Sequence, residues 1–186
     1  MLELLRKPFI VDGQQVEISA SMGIALYPDD GATADTLMRA AAVAMYRVKE
    51  EGRGSLRFYE ASMTAQLQAR MQTQQELAVA VDRGESALHY QPIVNGRTGE
   101  IETFEALIRW HHPCRGMVSS AEFIPLAEQT GLIDRIGCWV IETACREAVQ
   151  WKQPWRVAVN VSPKQFQQSD VCEAIVKPLS TYGLAV

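Results

Sequence analysis

Apolar and polar residues alternate with the period of a strand at the start of the chain and change to a helical period after Thr33. Ile10 and Val11 precede Asp12-Gly13, a dipeptide suited to a tight hairpin, and Val16, Ile18, Ala20 and Met22 then alternate with polar neighbours. Two strands with one buried face are predicted between Phe9 and Ala25. Tyr27 to Gly31 reads as a loop, and Thr33 or Asp35 can cap a helix carrying Leu37, Met38, Ala41, Ala44, Met45 and Val48 at helical spacing. Gly52 and Gly54 end that helix, and Leu56, Phe58 and Tyr59 make a short closing strand. These pieces hardly complete a core, so an upstream part is expected.

Ser62 to Arg83 contains neither Gly nor Pro, and Leu67, Met71, Ala78 and Val81, with Gln74 between them, follow the spacing of a helix seam. The polar seam residue favours a docked or weakly paired linker helix over a stable coiled coil, and Gly84 stops it at a domain boundary. Leu88 to Val94 and Ile101 to Ile108 flank Asn95 to Gly99 as strand, turn and strand. Ser119 and Glu122 form a Ser-x-x-Glu capping box ahead of Phe123, Ile124, Leu126 and Ala127, with Gly131 as the stop. A second helix is predicted from Asp134 to Trp151, with Ile136, Val140, Ala144, Ala148 and Trp151 on one face and Pro154 as its breaker. Val157 to Val161 reads as a strand with Asn160 near its end, and Phe166 to Leu179 as a further helix. Strands alternating with helices imply a parallel sheet or barrel with its chemistry at the strands' C-terminal ends.

Composition narrows the classes. At 186 residues the chain is one full-sized domain or two small ones, and 47% hydrophobic with 22% charged residues excludes a disordered or collagen-like chain. The 18 basic and 22 acidic residues give a net charge of −4 with no basic block, which speaks against duplex nucleic acid as a partner. A bound nucleotide must therefore meet a local site. No apolar run approaches the ~20 residues of a membrane span and the N-terminus lacks a signal-peptide core, so a cytoplasmic protein is expected. Cys114, Cys138, Cys145 and Cys172 include no Cys-x-x-Cys pair and are expected to be reduced, mostly buried thiols. His111, His112 and Cys114 are candidate zinc ligands, but Pro113 is expected to keep the segment extended and no second ligand pair follows.

Glu105 and Arg109, four residues apart on a predicted strand, fall on the same side by its period of two. Such a pair can hold a metal and a phosphate; the plainer reading is a salt bridge along the strand. The surrounding residues add to this. Tyr90-Gln91-Pro92-Ile93-Val94, Phe104 to Trp110, Glu122-Phe123-Ile124-Pro125-Leu126-Ala127-Glu128, Gly131-Leu132-Ile133 and Val159-Asn160-Val161-Ser162 resemble, in order and spacing, the opening half of EAL domains, a family that hydrolyses cyclic di-GMP. The resemblance implies an α/β barrel of the triosephosphate-isomerase type with its first strand reversed. It also implies two divalent cations, Mg²⁺ or Mn²⁺, and a water that opens the cyclic dinucleotide. Position by position, Glu105 and Asn160 match metal ligands, Arg109 a phosphate contact, Leu107 a residue lining the site, and Gln91 a residue reaching the guanine nucleotide. Glu128 matches a carboxylate near the ligand end of the barrel, set against the plainer reading of a surface carboxylate at a helix end. Ser120 replaces the family's usual proline, which the cap tolerates. The family's further carboxylates and its lysine would follow Val186, so the chain alone is expected to be inactive.

The first sixty or so residues resemble the closing part of a GGDEF domain, the diguanylate cyclase family, through Ser21 to Ala25, Tyr27-Pro28, Ala44-Met45-Tyr46, Lys49 and Gly52-Arg53. The resemblance places Lys49 and Arg53, four apart on one helix face, where the family holds its substrate's terminal phosphates. The plainer reading is a solvated helix end paired with Glu50, Glu51 or Glu60. Ala42 departs from the aspartate usual before the Ala-Met-Tyr triplet. The expected organisation is the end of a GGDEF domain over 1–61, a linker helix over 62–83 and the front of an incomplete EAL barrel over 84–186. The parent protein is expected to be a cyclic di-GMP phosphodiesterase, with dimerisation of that parent also considered. The alternative is a non-catalytic cyclic di-GMP receptor or protein-interaction module.

Overall fold

Thr33 shows how local sequence sets the first unit of the fold. In the computed structural model, which describes residues 8–168 and 171–184, its hydroxyl accepts the Thr36 N–H at 3.3 Å while the Thr36 hydroxyl accepts the Thr33 N–H at 3.0 Å. This reciprocal cap opens helix α1 (Ala34–Glu50). The chain packs as two units, Met1–Gln72 and Thr73–Val186.

In the first unit, β1 (Phe9–Val11) and β2 (Gln14–Val16) form an antiparallel hairpin whose Asp12 and Gly13 take φ of 50° and 80°, the left-handed pair that a two-residue hairpin loop requires. The predicted buried face is absent: all six strand residues are exposed, Ile10 at 81%, because among the described residues no further layer covers this two-stranded ribbon. The alternating run also does not stay one strand. Its end becomes β3 (Met22–Ile24), which pairs in parallel with β4 (Leu56–Phe58) and lies on α1. Ala40, Ala44 and Val48 form the buried line of α1, one turn apart, whereas Met38 is exposed. The small alanines let β3 approach so closely that a Cβ on Gly23 would run into the backbone of Ala41 and Met45.

Helix α2 (Ala61–Ala80) follows the prediction of an uninterrupted helix, but its buried line differs from the predicted seam. Met63, Thr73, Leu77 and Ala80 are buried, while Met71 and Gln74 face solvent. Thr73 tolerates burial because its hydroxyl accepts a bond from Arg115 Nη1 at 2.9 Å.

The second unit is built on β6 (Ile101–His112). Antiparallel β5 (Ser86–Val94) takes one edge, and parallel β8 (Arg156–Val159) and antiparallel β7 (Gly116–Val118) lie end to end along the other. This is the reversed first strand that the resemblance implies, in an open four-stranded sheet rather than a closed barrel among the described residues. Asn95 Oδ1 accepts the N–H groups of Arg97 and Thr98 and so forms the β5–β6 turn. Helices α3 (Ser120–Thr130) and α4 (Leu132–Ala148) meet at Gly131, whose φ of 78° suits a residue without Cβ. Trp110, Phe123, Leu126, Ile133, Ile136 and Val140 form the core between sheet and helices. A second aromatic group, Tyr90, Phe104, Trp151 and Trp155, packs edge to face, and the Tyr90 hydroxyl donates to Glu147 at 2.8 Å.

Four local expectations are corrected in this unit. Pro113 lies in a turn, not an extended segment, because His112 Nδ1 accepts the N–H groups of Cys114 and Arg115 and closes the β6–β7 hairpin. The Ser119–Glu122 capping box does not form: Ser119 Oγ accepts the Ala121 N–H at 3.3 Å, and the Glu122 carboxylate is drawn instead to Arg115. Helix α4 ends at Ala148, well before Pro154, and Trp151 leaves the helix for the aromatic group. Of the four cysteines only Cys145 is buried, since the other three lie on a turn or on outward helix faces, and burial raises the Cys145 thiol pKa. The helix predicted from Phe166 to Leu179 appears as α5 (Gln165–Gln168) and α6 (Val171–Tyr182), with the join, residues 169 and 170, outside the described residues. Among the described residues no helix is long and apolar enough to cross a membrane.

Candidate functional site

The pleat of β6 sorts its residues into two faces. Ala106 and Trp110 turn into the core, which leaves Glu105, Leu107 and Arg109 on the opposite face. Register then chooses their neighbours: Glu105 stands across from Gln91 on β5 and from Ala158 on β8. Asn160, one residue beyond β8 and two beyond Ala158, falls on that same face. Its Nδ2 donates to Glu105 Oε1 at 2.7 Å, joining residues 55 apart in sequence. The bond leaves the asparagine Oδ1 and the other carboxylate oxygen available as acceptors.

The salt-bridge reading of Glu105 and Arg109 is not supported. No ion pair links them: residues four apart on a strand are separated by about 13 Å, and Glu105 is already bonded to Asn160. Arg109 Nη1 donates to the Ile108 carbonyl at 3.0 Å, and among the described residues no carboxylate pairs with this guanidinium. Arg109 lines a cavity of about 530 Å³ together with Leu107, Glu128, Asn160 and Ser162, whose apolar wall includes Ile136 and Val140. Glu105 and Gln91 lie outside this lining, Gln91 on the exposed edge side.

Glu128 is not a bare surface carboxylate. It is half-buried, and its Oε1 accepts the Ser162 hydroxyl at 2.7 Å, while its main-chain carbonyl accepts a bond from Lys164 Nζ at 2.9 Å. Ser162, Lys164 and Gln165 are the participants that sequence reasoning missed. The Ser162-Pro163 pair after Asn160 carried a signal, since a serine there can bond its own following backbone, as the Lys164 N–H to Ser162 Oγ contact at 3.3 Å does.

The cyclase-type pair is not arranged as expected. Helix α1 stops at Glu50, and Arg53 sits in the following turn with φ of 65°, so Lys49 and Arg53 do not share a helix face. The alternative ion pairs are absent too. Glu50 forms ion pairs with Arg47 and Arg70, and Glu51 with Arg47 and Arg57, contacts that involve neither Lys49 nor Arg53. The Arg57 hydrogen bond holds the Glu51 carboxyl below its ordinary range.

Among the described residues, no group of three or more His, Cys, Asp or Glu side chains converges as a metal site. Glu105 and Asn160 do fit a hard divalent cation as part of a ligand set, since both are oxygen-bearing side chains and the bond from the asparagine amide nitrogen to the carboxylate holds them side by side.

Comparison with known proteins places these features in context. Residues 74–185 match the family model described as EAL domain, and residues 1–55 match the one described as diguanylate cyclase, GGDEF domain. An "uncharacterized signaling protein" of Caulobacter vibrioides is 42% identical over 185 residues, covering 100% of this chain and 23% of that protein. The "bifunctional diguanylate cyclase/cyclic di-GMP phosphodiesterase MucR" of Pseudomonas aeruginosa is 40% identical over 188 residues, covering 99% of this chain and 27% of MucR. The chain thus spans about a quarter of the length of these curated relatives. A solved structure described as the PaMucR phosphodiesterase in complex with c-di-GMP superposes with a TM-score of 0.58 at 38% identity, over 61% of this chain and 47% of that one.

Proposed function

This chain belongs to the EAL domain family, and on that premise we propose that, within a complete EAL domain, the face of β5, β6 and β8 hydrolyses a phosphodiester bond of cyclic di-GMP. The observation that carries the reading is the bond between Asn160 and Glu105, which brings two oxygen-bearing side chains together at the C-terminal end of β8. The domains are read as the end of a GGDEF domain over 1–61, a linker helix over 62–83 and an EAL domain from 84 onward. Glu105 and Asn160 are assigned to a divalent cation, Mg²⁺ or Mn²⁺, and Arg109 to a ligand phosphate. When bound, such a cation polarises a water for attack on the phosphodiester. Arg109 suits an anion because its planar fork presents several donors and, among the described residues, no carboxylate neutralises it. Leu107 and the apolar cavity wall exclude water beside it, and Gln91 is assigned to the guanine nucleotide at the edge of the same face.

The roles of the two charged residues separate in a mutant pair of the intact protein. Glu105→Ala is expected to abolish turnover while leaving metal-free dinucleotide binding, because a metal ligand acts on the attacking water rather than on the ground-state complex. Arg109→Ala is expected to weaken binding itself by about 10- to 100-fold, the loss of a charge-assisted contact. Calorimetry and a product assay read the two effects. Wild-type turnover by Glu105→Ala would defeat the assignment. Tight metal-dependent binding by the wild type without turnover would favour the receptor alternative.

A further inference from the structure

Asn160 lies on the loop between β8 and α5, and a loop residue keeps a fixed direction only if the loop itself is held. Here it is held at Ser162. The Ser162 N–H donates to Gln165 Oε1 at 3.0 Å, its hydroxyl donates to Glu128 Oε1 at 2.7 Å, and its Oγ accepts the Lys164 N–H at 3.3 Å. Lys164 Nζ in turn donates to the Glu128 carbonyl, so Glu128 grips the loop by both side chain and main chain although it precedes Ser162 by 34 residues. Gln165, 3% exposed, packs its amide against Gly137 so tightly that a Cβ there would collide with it. Neither Glu128 nor Ser162 bonds to Glu105 or Arg109 among the described residues, so this network acts on the loop and not on the candidate ligand groups directly.

We propose that Glu128 and Ser162 are positioning residues that clamp the β8–α5 loop and thereby fix the direction in which Asn160 presents its Oδ1 to a divalent cation. The inference rests on the reading of Glu105 and Asn160 as cation ligands. A side chain left to swing pays an ordering cost on each binding event, and partners that orient metal ligands commonly matter by 10-fold or more in affinity. The carboxylate charge of Glu128 is not required for this role; an oxygen that accepts the Ser162 hydroxyl is.

The test is calorimetric titration of Mn²⁺ alone, without dinucleotide, into the intact protein and its variants. Glu128→Ala and Ser162→Ala are each expected to weaken Mn²⁺ binding by about 10-fold. The double variant should lose no more than Ser162→Ala, because both single changes remove the Glu128–Ser162 bond and Ser162→Ala removes the contact from the Lys164 N–H besides. Glu128→Gln should recover most of the affinity, and dinucleotide affinity measured without metal should move less than that for Mn²⁺. Wild-type Mn²⁺ affinity in a folded Glu128→Ala protein, additive losses in the double variant, or a Glu128→Gln protein as weak as the alanine variant would each overturn the clamp. Should Glu128→Ala fail to fold, Ser162→Ala decides. Undiminished Mn²⁺ affinity in Glu105→Ala would instead defeat the cation-site reading, a result taken from a different variant.

Discussion

The two packed units use the same alphabet of alternating apolar residues to different effect. In the first, every strand is three residues long and has one paired neighbour, and Phe9, Ile10, Val11, Leu56 and Phe58 remain exposed. Among its described residues the largest fully buried side chain is Val48. In the second, β6 is paired on both edges and covered by helices on one face, and Trp110 and Phe123 are 1% and 0% exposed. Alternation therefore marks a surface able to be buried, and burial follows only where another layer arrives. Ion pairs occur in both units, the second holding Arg115 with Glu122, Arg135 with Asp82 and Arg156 with Glu102, and Arg109 stands apart from them. Arg47, Arg57 and Arg70 of the first unit are paired with Glu50 or Glu51, whereas Arg109 lines a cavity and has no carboxylate partner among the described residues. A neutralised guanidinium holds structure together; an unneutralised one in a cavity is available to an anion.

The contrast in cores gives the largest expected effect. Trp110→Ala should cost about 3–5 kcal/mol, as it removes a large, fully buried side chain and leaves Glu85 without the indole N–H that donates to it at 3.0 Å. Val48→Ala in the first unit should cost about 2 kcal/mol for its two lost methyl groups. Urea unfolding followed by circular dichroism compares them, and equal losses would break the distinction between the units.

A pair of glycines sharpens it next. Gly23→Ala drives a methyl into main-chain atoms of Ala41 and Met45, which cannot step aside, and is expected to cost about 3 kcal/mol. Gly137→Ala meets first the side chain of Gln165, which can rotate away, and is expected to cost about 1 kcal/mol while loosening the Ser162 loop. Thermal unfolding measures both, and hydrogen exchange at Ser162 reads the second directly. A costlier change at Gly137 than at Gly23 would mean that the loop, not β3, has the tighter packing.

Tyr90→Phe should cost about 1 kcal/mol, the net worth of its bond to Glu147. The Tyr90 phenol is held above its ordinary range, first by burial and then by the bond to Glu147 and that carboxylate's charge. Because the folded value is raised, the associated stability is full below the ordinary tyrosine pKa of about 10 and is lost as pH climbs toward the folded value. Absorbance titration of the wild type against Tyr90→Phe checks the direction: loss of a phenol that ionises at its ordinary pH would refute it.

The smallest effect belongs to Glu51. Its lowered carboxyl pKa means that its contribution is present above about pH 4.3 and lost as pH falls through the folded value. Glu51→Gln should therefore lower the Tm slightly at neutral pH and leave it unchanged in acid. A difference that grows on acidification would reverse the sign and dissolve the contrast between paired and unpaired arginines.

Much of this fold was legible before any coordinates because its signals are local. The Asp12-Gly13 turn, the Thr33 cap, the uninterrupted helix after Ala61, the Gly131 stop and the strand pair around Asn95 each depend on residues within a few positions of one another. Glu105, Arg109 and Asn160 were legible as candidates from their resemblance to a family; the shared face of Glu105 and Arg109 follows from strand period alone, whereas that of Asn160 rests on the pairing of β8 with β6.

What the chain could not announce was the choice among competing partners. Glu122 takes Arg115 rather than its own helix start, Glu105 takes Asn160 rather than Arg109, Thr73 is buried in place of Met71, and Glu128 reaches Ser162 instead of solvent. Each of these is a contest between a local option and one brought near by the packing of β6, β8, α3 and α4. Periodicity specifies which way a side chain points, and only the assembled tertiary structure specifies what it finds there, because polar interactions act over a few ångströms between groups that sequence distance does not order.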